Sequence, residues 1–354
     1  MVATLASAAT LPFIGRIVDT LTIARVCLLI GPALAIGALM LSFGTSIVAL
    51  AAAIYLLRLF GQGMMTHTAM TAMGKWFAAN RGRAVSLATI GLQVGEAILP
   101  AVVLGVSALL GWRGAWIVIA VGIAFVATPI IWRLMRDERV PQGEASGPSG
   151  FTRHWTRAEV LRDPLFWLVC VGVLVPPFAG TSIFFHQDYL MQLNGWSPSL
   201  YYGSFALMAA TTFVFALATG WAVDRFSAVR LLPVFFVPLG LSCVVLGTFD
   251  QSWAVPVGMF LLGTSYGISG TLLGAAWPEM YGTRHLGAVR STVTAMMVFL
   301  TAAGPGATGL LIDRGVPFPQ QLQVIGGYCF AVTLVMLYAS SKLMQRRGVL
   351  PVPA

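Results

Sequence analysis

Charge is what this chain has least of. Only 9% of its 354 residues are Asp, Glu, Lys or Arg and 58% are apolar, whereas about a quarter of the residues in a soluble protein are charged. A surface wetted on every side cannot be built from so few charges, so a soluble domain is excluded. The four cysteines, Cys27, Cys170, Cys243 and Cys329, stand singly, with no Cys-x-x-Cys pair and no Cys/His cluster. Neither a disulfide nor a metal site is expected, and packing is their expected role. No Gly-x-x-x-x-Gly-Lys-Ser/Thr loop occurs, which argues against ATP-driven transport. No nucleophile with a neighbouring base lies at one depth, so an enzyme is not expected, nor is any cofactor. Residues 1–14 are apolar without a charged leader, so a signal peptide is not expected either.

What is present is a series of apolar runs of about 18 residues or more, the length a helix needs to cross about 30 Å of hydrocarbon. They predict helices near 24–43, 47–74, 84–108, 113–134, 165–190, 198–221, 230–248, 253–276, 288–311 and 321–343. Residues 1–14 form an eleventh, too short to span. Short alternating segments, the mark of a transmembrane barrel, are not seen. The expected class is an all-α polytopic membrane protein.

The chain also repeats itself. Gly15 is followed by Asp19 and Arg25, and Gly220 by Asp224 and Arg230, an offset of 220 − 15 = 205. Gly82 precedes Pro100 by 18 residues and Gly287 precedes Pro305 by 18, again with 287 − 82 = 205. A long-period repeat in an apolar chain predicts two pseudo-symmetric half-bundles of six helices facing one another. The halves are expected at 1–135 and 164–354, joined by a flexible polar linker at 136–163 that contains Pro141 to Gly150. Because the second half starts near Pro164, and 164 − 205 = −41, the first half is expected to lack its first helix, leaving about 11 of 12.

The net charge of +9 raises the question of nucleic acid, and placement answers it. Of the 21 Lys and Arg residues, all but Arg58, Arg113 and Arg314 thread to one side of the predicted helices. That asymmetry makes the basic side cytoplasmic, with the linker and C-terminus on it, and no nucleic-acid partner is expected.

These features together resemble the major facilitator superfamily over nearly the whole chain. The loops Gly15-Arg-Ile-Val-Asp19 and Gly220-Trp-Ala-Val-Asp224-Arg225 resemble its loop signature between the second and third helices of each half. Arg58-Leu-Phe-Gly-Gln-Gly63 resembles its fourth-helix signature. A narrower likeness is to bacterial members related to monocarboxylate porters. It rests on Lys75-Trp76-Phe77 with Arg81-Gly-Arg-Ala84, on Phe185-His186 followed by Gly195-Trp-Ser, and on Tyr281-Gly282 with Gly287 and Gly304-Pro305. The resemblance implies a bacterial inner-membrane secondary transporter, a monomer in the lipid bilayer with a small-molecule substrate, alternating access around a midplane site. A small organic anion such as a monocarboxylate, moved in symport with a proton, is the expected substrate. Efflux of amphipathic compounds, or a membrane sensor or relic that does not transport, are the alternatives.

Candidate residues follow. Gly15, Asp19, Arg25, Gly220, Asp224, Arg225 and Arg230 are expected to gate. There each Asp accepts hydrogen bonds from a neighbouring helix N-terminus and pairs with arginines of the loop. Arg58 lies 58 − 47 = 11 residues into its helix, about 16 Å deep. At that depth it should face a cavity or a carboxylate, and Glu96 at comparable depth is the expected partner, as a coupling pair or a structural one. His186 is a candidate proton carrier, and Tyr266 and Gln93 are candidate cavity residues. Gly263, Gly267, Gly270 and Gly274 predict a small-residue face for close helix packing, and Gly91 with Gly95 a similar one.

Overall fold

The computed structural model describes residues 2–77, 79–137, 139 and 154–346, and the side chains of Glu96 and Ala97 lie outside that description. Among the described residues, ten helical stretches are long and apolar enough to cross a membrane. They are α1 Val2–Thr20, α2 Ile23–Phe43, α3 Ile47–Trp76, α4 Arg81–Met135, α5 Pro164–Phe185, α6 Pro198–Phe226, α7 Ala228–Thr248, α8 Ala254–Tyr281, α9 Leu286–Asp313 and α10 Phe318–Arg346. α4 makes two passes, because Gly111 leaves the helical region at φ 71° and reverses the chain. Among the described residues the passes therefore number 10 + 1 = 11. The expectation that the first helix is too short to span is corrected. After a break at Gly15 and Arg16 the helix resumes at Ile17, making a stretch of 19 residues.

Local chemistry sets the helix starts. Thr22, Ser46 and Ser197 each accept the backbone N–H three residues on, at 3.3, 3.1 and 3.3 Å, satisfying one of the donors a first turn leaves unpaired. Asp163 caps α5 by accepting the Leu165 N–H, two residues on, ahead of Pro164 at the first helical position. The stretch expected at 165–190 is two elements. α5 ends at Phe185, His186 leaves the helical region, and a short helix Gln187–Asn194 follows, closed by left-handed Gly195 at φ 66°.

The expected solvated linker is helical in its last part. Thr156 and Glu159 form a capping box for a helix Arg157–Arg162. Arg157 donates to the Pro12 carbonyl at 2.8 Å and so ties the end of the linker to the first half. Pro141 to Gly150 lie outside the described residues.

The small-residue face of α8 divides its work. A Cβ on Gly263 or Gly267 would strike the backbone of α6 at Met208 or Thr212, while Gly274 meets Val85 of α4. One stripe thus packs α8 both within its own half and against the other. Gly91 meets nothing within 4 Å, so the second expected face is open. All four cysteines are buried and unpaired.

Candidate functional site

Two places where the halves meet carry the polar chemistry: a pair of latches at the basic end, and a cavity beyond them. In the first latch Asp19 receives two N–H groups from the start of α9, Gly287 to Oδ1 at 2.8 Å and Ala288 to Oδ2 at 2.7 Å. In the second, Asp224 receives Gly82 at 2.6 Å and Arg83 at 3.2 Å from the start of α4. The carboxylate meets the positive end of a helix dipole and two donors that otherwise lack partners. Each Asp caps a helix of the opposite half, and 224 − 19 equals 287 − 82, so the two latches are one device used reciprocally. Close approach here requires glycine. A Cβ at Gly82 would overlap the Gly220 carbonyl, and one at Gly287 would stand 2.9 Å from the Asp19 carboxyl.

The expected arginines are not the cations of these latches. Arg25, Arg225 and Arg230 are exposed, and Arg225 stacks on Trp221 and Phe226 at 5.9 Å. Lys75 instead reaches Asp19 at 2.7 Å and Val18 O at 3.1 Å, while Arg83 stands 3.8 Å from Asp224. Gly15 and Gly220 lie under the latches. The Gly15 carbonyl accepts from buried His67 Nε2 at 3.1 Å, and Gly220 packs on Ser86.

A further cluster at this end ties the last residue of the linker to the second half. Arg346 grips Asp163 with two hydrogen bonds of 2.7 and 2.9 Å, and Tyr281 Oη adds a third at 3.0 Å. Burial of the Asp163 carboxyl opposes its ionisation. The bonds from Arg346 and Tyr281 outweigh that and hold its pKa below the ordinary carboxylate value.

Beyond the latches the halves part around a cavity of two lobes, about 830 and 700 Å³, which share Arg58, Gln62 and Thr301. The deeper lobe is walled by Ile54, Leu57, Leu92, Met297 and Val298. The outer lobe runs past Thr181, Phe185 and Pro305 to Asp313 at the end of α9. Arg58 and Gln62 lie on a widened, π-helical turn, Leu57–Met65, which contains Gly61 and Gly63. Such wide turns re-aim side chains and recur at functional sites.

Arg58 Nη1 donates to Gln62 Oε1 at 2.6 Å. That bond occupies the amide oxygen and leaves the Gln62 NH₂ and the remaining guanidinium N–H groups as donors. No ion pair to Arg58 occurs among the described residues; the side chain of Glu96, its expected partner, lies outside them.

The other described candidates line neither lobe. His186 Nε2 meets Thr308 Oγ1 at 3.0 Å, and its ring packs on Phe318, so it backs Pro305 and Gly309 rather than facing the cavity. Tyr266 packs on Phe184 with its hydroxyl against Gly180. Gln93 is half-buried, its Oε1 shielded and without a hydrogen bond. Gln62, Lys75 and Asp313 are polar residues to which the sequence reading gave no role in a site. An i, i+4 pairing rule would have found Gln62.

Comparison with known proteins agrees with this architecture. Among solved structures, the human organic anion transporter MFSD10 (TETRAN) superposes with a TM-score of 0.72 at 15% identity, covering 95% of this chain and 82% of that one. The transporter FucP in its outward conformation gives 0.70 at 11%, covering 95% and 88%. An outward-facing bacterial homologue of the iron transporter ferroportin gives 0.63 at 18%, covering 97% and 89%. No curated protein matches in sequence. The family model of the Major Facilitator Superfamily matches residues 1–305, and the chain belongs to that superfamily.

Proposed function

We propose that this transporter carries a small organic anion, in the simplest case a monocarboxylate, by alternating access between the two halves, with a proton as the coupled ion. The observation that carries the reading is the Arg58–Gln62 pair. It presents guanidinium and amide N–H donors to a cavity whose other walls are largely apolar, which suits a carboxylate head on a short apolar body. The sequence likeness to monocarboxylate porters supports the same class. The halves are 1–135 and 164–354, the linker 136–163 and the C-terminus are cytoplasmic, and the protein works as an inner-membrane monomer. With the basic end inside, the structure is closed to the cytoplasm by both Asp latches and open outward. Asp19, Asp224 and the glycines beneath them act as the gate, and opening inward breaks four backbone hydrogen bonds. His186, behind the cavity wall, and Glu96 are the candidate proton carriers.

The apolar walls support a second reading, export of amphipathic compounds. Uptake of labelled small carboxylates into proteoliposomes, with and without an inward-directed proton gradient, separates the two. Gradient-driven uptake lost in Arg58→Ala is expected. Carboxylate uptake absent in the wild type, with Arg58→Ala still exporting amphipathic dyes, would overturn the anion reading.

A further inference from the structure

A polar cluster lies between the deeper lobe and the latches, where α3 of the first half packs against α8 and α9 of the second. On α3 it comprises His67, Thr68 and Thr71, which follow Thr66 of the lobe and precede Lys75 of the first latch. On α9 it is Arg290, 294 − 290 = 4 residues before Thr294 of the lobe and 290 − 288 = 2 after Ala288 of the latch. The Arg290 charge bears on the His67 ring. His67, Thr68 and Thr71 are no more than 2% exposed and Arg290 is 9% exposed, yet His67 Nδ1, both threonine hydroxyls and Arg290 Nε have no hydrogen-bond partner. Arg290 makes no ion pair among the described residues.

The fold does not call for this cluster. At the offset of 205, His67, Thr68, Thr71 and Arg290 correspond to Leu272, Leu273, Ala276 and Val85, all apolar and all buried. Pro278 of α8 explains one part of it. Proline has no N–H, so the Gly274 carbonyl four residues earlier loses its helix bond, and Arg290 Nη1 donates to it at 3.1 Å and to Leu273 O at 3.3 Å. That carbonyl needs only a donor, which a neutral amide supplies. The positive charge is left over, and a buried cation without a counter-charge is costly.

Resting on the anion reading above, we infer that Arg290, Thr68 and Thr71 form a second carboxylate station, covered in this outward-open state and uncovered when the latches part. The unpartnered Arg290 Nε–H and the two hydroxyls are its donors. Arg290 lies 301 − 290 = 11 residues along α9 from Thr301 at the first station, about 16 Å at 1.5 Å per residue. A small monocarboxylate does not span that distance, so the two stations hold its head in turn, Arg58 with Gln62 on the outer side and Arg290 on the cytoplasmic side.

The test is initial uptake of labelled pyruvate, which stays ionised and so crosses lipid slowly, into right-side-out and inverted membrane vesicles carrying the full chain. Arg290→Gln keeps a donor for the Gly274 carbonyl and removes the charge. It is expected to raise KM about tenfold in inverted vesicles, where the cytoplasmic face meets the probe, and no more than about twofold in right-side-out ones. Arg290→Lys, which restores the charge, should bring the inverted-vesicle KM back to within about threefold of wild type. Thr71→Val, of similar shape, should raise KM about threefold in inverted vesicles alone, and it decides the question if Arg290→Gln does not fold. Arg58-dependent uptake whose KM is unmoved by these variants, or moved equally at both faces, overturns this inference alone and leaves the cluster a structural one. Uptake absent from both faces of the wild type, or surviving Arg58→Ala, overturns the anion reading and this inference with it.

Discussion

The latches on Asp19 and Asp224 repeat each other at the backbone and differ in their side chains. Both carboxylates cap a helix of the opposite half with two N–H bonds. Only Asp19 also holds a shielded cation, Lys75, with the two side chains 16% and 9% exposed at 2.7 Å. Arg83 beside Asp224 is 62% exposed and 3.8 Å away, a geometry in which ion pairs contribute little. The repeated part holds a carboxylate of one half on a helix start of the other, and the unrepeated part makes one of these contacts tighter than the other. Opening should begin at the Asp224 side, with Asp19 yielding second.

Glycine substitution should give the largest effects and reverse that order. A Cβ at residue 82 would overlap the Gly220 carbonyl, a backbone atom that cannot swing away, whereas at 287 it meets the Asp19 carboxyl at 2.9 Å, which can shift by a few tenths of an ångström. Gly82→Ala is therefore expected to destabilise the closed state by about 3 kcal/mol and Gly287→Ala by about 1 kcal/mol. Spin labels at exposed Arg25 and Arg230 report the separation of the halves, because the native cysteines are buried. Gly82→Ala should lengthen the distance most, and equal shifts in the two variants would mean that the two contacts are equally compliant.

Asparagine substitution follows. Asn keeps the shape of Asp but turns an NH₂ toward one of the two backbone donors, and at residue 19 it also leaves the Lys75 ammonium half-sheltered without its partner. The expected loss is about 2–3 kcal/mol for Asp19→Asn and about 1 kcal/mol for Asp224→Asn. The same label pair measures both. A larger opening in Asp224→Asn would contradict the asymmetry.

How much of this was legible in the sequence follows from what spacing encodes. The recurrence of Gly, Asp and the helix-opening Gly at 205 residues identified both latch loops and both receiving helices, because spacing reports which residues recur. It does not report which half they meet, so the reciprocal crossing of Asp19 to α9 and Asp224 to α4 had to come from tertiary packing. Arg58 was legible by depth alone. Its bond to Gln62 was missed because a carboxylate was sought for a buried guanidinium, and the π-helical widening that aims the two residues leaves no mark on an apolar helix. Tyr266 was placed in the cavity for a related reason. A helix apolar on every side gives no periodic sign of which face is the wall and which the interior.

The smallest expected effects fall on the two cations, and they test the asymmetry most directly. Lys75→Met removes the charge and keeps a stem of similar length, so what it loses is the bonds to Asp19 and to the Val18 carbonyl, expected at about 1 kcal/mol. Arg83→Met removes a solvated guanidinium while the Arg83 backbone N–H, which makes the latch bond, remains, and the expected change is under about 0.5 kcal/mol. If the side-chain cations account for the difference between the latches, then in a Lys75→Met background Asp19→Asn and Asp224→Asn should shift the label distance by the same amount. A residual excess at Asp19 would move the source of the asymmetry to the ground beneath it, where His67 bonds the Gly15 carbonyl and the second half has Leu272 at the equivalent position, 67 + 205.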